Sequence, residues 1–240
     1  MDNETLRAHW GSVGESYTAE WSPPARARLG ERELDFIVAA LQRSPARAAL
    51  DVGVGSGRIL AALLERTEIT EFYGIDIAEP MVEATRVRLA GEARLRELRV
   101  CDLSAEPLPF DRQFDFISAV RMLKYNRNWR DMVGKLAAAL SPDGVLVFSM
   151  TNSRSLNRFS RAAPVPWVTT TRADLELLAS DLGLEVLDVR GFTKLPHTVY
   201  SRVRSPRLAN GLLTTDAVLD RLVGTTAFAR EIFVAAQRRQ

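Results

Sequence analysis

Three aspartates and a run of glycines are the residues of this 240-residue chain whose types and spacing could do chemistry. In Asp51-Val-Gly-Val-Gly-Ser-Gly57, the glycines Gly53, Gly55 and Gly57 follow an apolar run and precede an amphipathic stretch. A strand, a glycine loop and a helix in that order aim backbone N–H groups at a ligand, and glycine lets ligand atoms touch the main chain. Arg58 stands where a dinucleotide-binding loop has its third glycine, and the Gly-Lys-Ser/Thr ending of a P-loop is missing. A carboxylate at the strand tip, Asp51, would repel a pyrophosphate and attract an ammonium group. Asp76 comes 25 residues later and can accept both hydroxyls of a ribose, one per oxygen. Asp102 follows after another 26 residues.

The elements that must position these residues are legible as alternation. Short apolar runs at Ala48–Val52, Glu71–Asp76, Leu95–Val100, Phe114–Val120, Val145–Met150, Leu184–Val189 and Glu231–Ala236 read as seven strands. Helical patterns lie between them at about 57–67, 80–90, 128–140, 172–182 and 214–223. Such alternation predicts an α/β fold, a mostly parallel sheet with helices on both faces. The aspartates then sit at three successive strand ends, where open α/β sheets bind ligands. Ser141-Pro-Asp-Gly144 reads as a helix stop and a turn into the fifth strand. Residues 1–46, with a Pro23-Pro24 break and a helix at about 26–42, read as lid helices ahead of a domain over 47–240. Long connections near 151–170 and 192–213 are the expected substrate caps.

DVGVGSGR resembles motif I of the class I (Rossmann-like) S-adenosylmethionine (SAM)-dependent methyltransferases, and GIDIAEPMVEATR resembles their motif II. The resemblance is firm over about residues 47–190. It implies a Rossmann-like sheet with an antiparallel last strand and SAM as cofactor, whose methionine amine suits Asp51. It implies further that Asp76 holds the ribose, that Ile77 packs on adenine, and that Asp102 and the Leu103 N–H meet the adenine edge. By the same resemblance Val120 is an expected cofactor contact near the reacting centre, and Tyr17 resembles the aromatic of a lid that closes over the cofactor. The Asn/Asp-Pro-Pro-aromatic signature of amino-methylating nucleic acid enzymes is replaced by Ser118-Ala-Val-Arg-Met122, and the double-glutamate loop of arginine methyltransferases is not evident.

The substrate side is thinner. Arg121 and Tyr125 flank the exit of the fourth strand and could orient a hydroxyl or carboxylate, and His197 is the candidate base by its intrinsic pKa. Two histidines and one cysteine exclude a cysteine- or histidine-rich metal centre, so no metal is expected. Segments 151–173 and 191–215 carry eight cations and no acid in a chain of net charge +2, which leaves the rest net negative by six. A positive cap on a negative body suits an anionic small molecule or a group on an acidic carrier. The expected function is O- or N-methylation of a small molecule, an anionic natural product or a sugar derivative, in bacterial secondary or sugar metabolism. The alternatives are a SAM-binding cyclase that transfers no methyl group, or an NAD-dependent oxidoreductase. No apolar run approaches membrane-spanning length and the start lacks a secretory signal, so the reading is a cytoplasmic monomer or homodimer with no nucleic acid or membrane partner.

Overall fold

The computed structural model describes residues 3–13, 19, 21–42, 46–155 and 166–239. Among the described residues, two N-terminal helices, α1 (Asn3–Ser12) and α2 (Pro24–Leu41), precede the sheet. Proline opens α2 where its missing N–H costs nothing. The chain then alternates: β1 (Ala48–Val52), α3 (Arg58–Arg66), β2 (Glu71–Asp76), α4 (Glu79–Arg88), β3 (Leu95–Val100), β4 (Phe114–Ala119), the single 3-10 turn η1 (Leu123–Tyr125), α5 (Trp129–Ala138) and β5 (Leu140–Asn152). It ends with the two-residue β6 (Thr169–Thr170), α6 (Arg172–Asp181), β7 (Leu184–Phe192), α7 (His197–Arg202), α8 (Pro206–Val223) and β8 (Glu231–Arg238).

The main path of the sheet runs β3-β2-β1-β4-β5-β8-β7, with β6 appended to β5. The ladders from β3 through β5 are parallel, and β8 lies antiparallel between β5 and β7. Both the seven strands and the reversed last strand therefore appear as the sequence implied. Strand order reverses at β1, whose neighbours β2 and β4 lead away to opposite sides, so a crevice opens beyond the ends of β1 and β4. The Ser141–Gly144 turn is absorbed into β5 as an irregularity: Phe114 pairs Leu140 and Phe116 pairs Val145, with Asp143 at φ 62°.

Central strands are buried on both faces, which is why β5 reads as an apolar run from Val145 to Met150 broken only by the buried Ser149. One face packs Phe116, Val147 and Phe233 under Ile37 of α2 and Leu60 of α3. The other packs Ile117, Phe148 and Val234 under Trp129 and Leu136 of α5 and Leu175 of α6. Thr171 and Asp174 form a capping box that starts α6, Thr171 Oγ1 accepting from Asp174 N at 3.2 Å.

The connection expected over 192–213 is largely helical. Tyr200 of α7 and Ala209 and Leu213 of α8 bury against the α2 face of the core. They supply apolar anchors that the sequence periodicity, read from 214 onward, did not credit. Within the 151–170 connection, residues 156–165 lie outside the described residues.

Gly74 on β2 reports how tightly the site is packed. A Cβ there would lie 2.5 Å from Val54 Cγ1 and 2.8 Å from Leu98 Cδ2. Gly74→Val should therefore cost about 2 kcal/mol through overpacking, read from urea denaturation, and should weaken cofactor binding because Val54 belongs to the glycine loop.

Candidate functional site

The glycine loop turns at Gly53 (φ 77°), Gly55 (φ 54°) and Gly57 (φ 75°), the last being the residue before α3. These left-handed conformations are those that only glycine adopts freely. The loop is braced from β2. Gly53 N and Val54 N both donate to Ile75 O, at 2.8 and 3.1 Å. Gly55 N donates to Asp76 Oδ2 at 2.9 Å, Ala78 N donates to Asp76 Oδ1 at 3.0 Å, and Thr85 Oγ1 donates to Gly55 O at 2.8 Å. Asp76 thus ties the end of β2 to the loop after β1. Each of its oxygens keeps lone-pair capacity for a further donor. Burial raises its pKa, and the N–H groups of Ala78 and Gly55 work against that rise.

Asp51 is at the foot of the loop and is buried. The β1–β4 register sets it beside Ser118, whose hydroxyl donates to Asp51 Oδ1 at 2.6 Å. Oδ2 is also buried and has no hydrogen-bond partner among the described residues. Burial pushes the Asp51 carboxyl up to about 7, while Ser118 and the Arg58 charge pull it down. A buried carboxylate with one oxygen unpaired is costly unless a cation or donor completes it. The ammonium group of SAM is such a cation, so this donor set fits the cofactor.

The crevice holds a cleft of about 690 Å³, its mouth included. At one end lie Ile77, Asp102 and Leu103, and at the other Val120, Arg121 and Tyr125, with the loop glycines Gly53 and Gly55 and the ribose candidate Asp76 between. The structure brings all of these sequence candidates to one cavity. Asp102 Oδ1 is engaged by Ser104 N at 3.1 Å and Ser104 Oγ at 2.7 Å. Tyr17 lies outside the described residues, as does the side chain of His197, which opens α7.

Sequence reasoning placed lid helices over residues 1–46 but did not single out Leu6 and Trp10 of α1. Leu6 and Trp10 line the cleft, and the Trp10 ring meets Tyr125 edge-on at 5.2 Å. Arg7 Nε donates to Ile77 O at 3.2 Å and Asn3 Nδ2 to Ser104 Oγ at 2.9 Å, so α1 is fastened over the end of the cleft where Ile77 and Asp102 lie. The signal available was the i, i+4 spacing of Leu6 and Trp10 on an otherwise polar segment.

A charged cluster beside the cleft was missed too. Arg121 has φ 65°, an unusual conformation for a non-glycine residue, and its N–H donates to Ser149 Oγ at 2.8 Å. Its guanidinium pairs with Glu33 of α2, which also receives Arg58 Nη2 at 3.4 Å. Both arginines lie over the Trp21 ring, at 5.1 and 4.2 Å from its centroid. Behind Arg121, Lys124 pairs with Glu231, and Arg121 Nη1 reaches Glu231 Oε1 at 3.8 Å. Burial pushes the Lys124 ammonium down to about 8 against the pull of Glu231. Burial would raise the Glu231 carboxyl, but Lys124 and Arg121 hold it below the usual range. Two cations of the expected positive cap are neutralised locally, Lys194 by Asp220 and Arg172 by Glu176.

The unpaired oxygen of Asp51 generates a test. Its folded pKa is above that of an unfolded aspartate, about 4, so its ionisation lowers stability progressively as pH rises from about 4 to 7. In Asp51→Asn that slope should vanish. The melting temperature of the cofactor-free variant should rise relative to wild type between pH 5 and pH 8, while its SAM affinity falls at least ten-fold at pH 8. Calorimetric titration and thermal melts read both.

Comparison with known proteins is consistent with this geometry. A family model described as a methyltransferase domain matches residues 50–146, which span the glycine loop, all three aspartates and the β4 exit. Demethylmenaquinone methyltransferase of Thermus thermophilus is 34% identical over 124 residues, 51% of this chain and 54% of that protein, so the match spans about half its length. Ubiquinone biosynthesis O-methyltransferase of Neisseria meningitidis is 28% identical over 202 residues, 77% of this chain and 79% of that protein. Among solved structures, magnesium protoporphyrin IX methyltransferase of Synechocystis with bound SAH superposes with a TM-score of 0.67 over 99% of this chain and 100% of that one. At 16% identity that likeness speaks for the fold. Over residues 50–146 the chain carries a methyltransferase domain, and its glycine loop and three strand-end aspartates are similar to those of the class I (Rossmann-like) SAM-dependent methyltransferases, with SAM as cofactor.

Proposed function

We propose that this protein transfers the SAM methyl group to an oxygen or nitrogen of an anionic small molecule that enters beside Arg121 and Tyr125. The observation that carries this reading is the composition of the cleft's inner end, where an arginine and a tyrosine stand next to the loop that anchors the methionine moiety. The cofactor supplies an electrophilic methyl carbon on a sulfonium centre. The residues of this chain provide orientation and exclusion of water, the usual protein contribution to an in-line displacement. Asp51 would hold the ammonium, Asp76 the ribose hydroxyls, and Asp102 with the Leu103 N–H the adenine edge. Trp10 and Leu6 would close the roof.

Few groups in the cleft suit proton abstraction. Cys101 lines it, but burial pushes its thiol up to about 11. Asp76 and Asp102 are committed to the adenosine end. A nucleophile that arrives already deprotonated needs no base. A carboxylate or a neutral amine meets that condition.

The reading is tested by incubating the protein with SAM and a panel of small carboxylic acids and amines, following S-adenosylhomocysteine release and the mass of the acceptor. A product heavier by one methylene, formed with stoichiometric S-adenosylhomocysteine, is the expected result. Conversion of an acceptor without S-adenosylhomocysteine release would instead identify a cyclase-like use of the bound cofactor. With the accepted substrate in hand, Tyr125→Phe should lower kcat/KM about ten-fold through loss of one hydrogen bond, with SAM affinity unchanged.

A further inference from the structure

The outward side of α8 is chemically one-sided. Its two acids, Asp216 and Asp220, both turn inward: Asp216 is buried and accepts from the Tyr200 hydroxyl, and Asp220 pairs with the buried Lys194. What faces outward is apolar, basic or, at Asn210, Thr214 and Thr215, polar without charge. At 3.6 residues per turn, Leu208, Thr215, Val218 and Leu222 fall on one arc beside the buried face, and Arg207 and Arg221 lie along its far margin. Leu208 is 66% exposed and Leu222 is 74% exposed. Arg202 and Arg204, also exposed, extend the basic margin through the link from α7.

We propose that α8 lies on an anionic lipid surface, with its apolar arc at the acyl boundary and these four arginines among the headgroups. A helix with an apolar arc, a basic margin and no outward acid is the form in which amphipathic helices bind at an interface. No helix among the described residues is long and apolar enough to cross a membrane. Interfacial docking needs only one arc, and α8 offers about 27 Å of it. The surface is a convex helix, which a bilayer accepts without the shape complementarity that a folded partner requires. A second copy is the poorer occupant. An isologous contact would set this patch against itself, arginines toward arginines with no acid between them. The inference does not depend on what the protein methylates.

Flotation of the full chain with vesicles provides the test, comparing phosphatidylcholine alone with phosphatidylcholine containing phosphatidylglycerol. The protein should float with the anionic vesicles and be released by high salt. Arg207→Gln and Arg221→Gln should each weaken partitioning about five-fold. The Leu208→Ser/Leu222→Ser variant should lose binding, and calorimetry should show its SAM affinity unchanged, which proves that it is folded. Failure to float with anionic vesicles overturns the proposal. Light scattering would then identify the stripe as a contact between two copies if the mass halves in the leucine variant. Retention on immobilised poly-glutamate would instead identify an acidic protein as the partner. Binding to both vesicle types alike, unaffected by the arginine variants, also overturns it.

Discussion

Glu33 is a fully buried carboxylate on a helix that the sequence places outside the catalytic domain, and the working face of the molecule is assembled around it. Its two oxygens receive Arg121 and Arg58. Arg58 is the first residue of the helix after the glycine loop, and Arg121 is the second residue beyond β4, so one carboxylate grips both banks of the crevice. Trp21 packs under both guanidiniums and shields them from water. An ion pair so placed gains little net stability from its charges, but removing one partner strands the other in a medium that cannot solvate it, at about 3–5 kcal/mol. The N-terminal segment is bound to the catalytic body through this cluster as well as through apolar packing.

The same economy of charge explains the contrast among the strand-end aspartates. Asp76 receives hydrogen bonds from its own loop and from the glycine loop, Asp102 from its own loop, and both act as braces. Asp51 has one hydroxyl for company and an oxygen with no partner. Its environment is incomplete in a way that favours a bound cation. Preorganisation here takes the form of a desolvation penalty accepted at folding and relieved on binding. The positive φ of Arg121 belongs to the same region, and sparsely populated backbone conformations gather where surrounding contacts over-determine them.

A second layer of organisation lies on the α2 side of the sheet, where α7 and α8 cover what would otherwise be exposed core. The inward acids of α8 are spent on Tyr200 and Lys194, which holds the helix down and leaves its outer face without negative charge. Lys194 and Arg172 counted as free cations in the linear sequence, yet each has a local partner. The positive character of the late segments is consequently carried by fewer residues than composition suggests.

Much of the fold and of the cofactor end was written in the sequence, because both rest on local patterns. Alternating apolar runs give strands, a glycine loop between strand and helix gives an anion- or amine-facing turn, and even spacing puts Asp51, Asp76 and Asp102 at consecutive strand ends. Glycine at a left-handed φ has few substitutes, so its meaning survives without context. The substrate end was not legible in that way. Leu6 and Trp10, the Glu33 clamp, the Lys124–Glu231 pair and the fate of the cap cations depend on contacts between residues as many as 107 positions apart. Only the tertiary structure could decide them, because whether a charge is paired or free, or an apolar side chain buried or exposed, is a property of its neighbours in space.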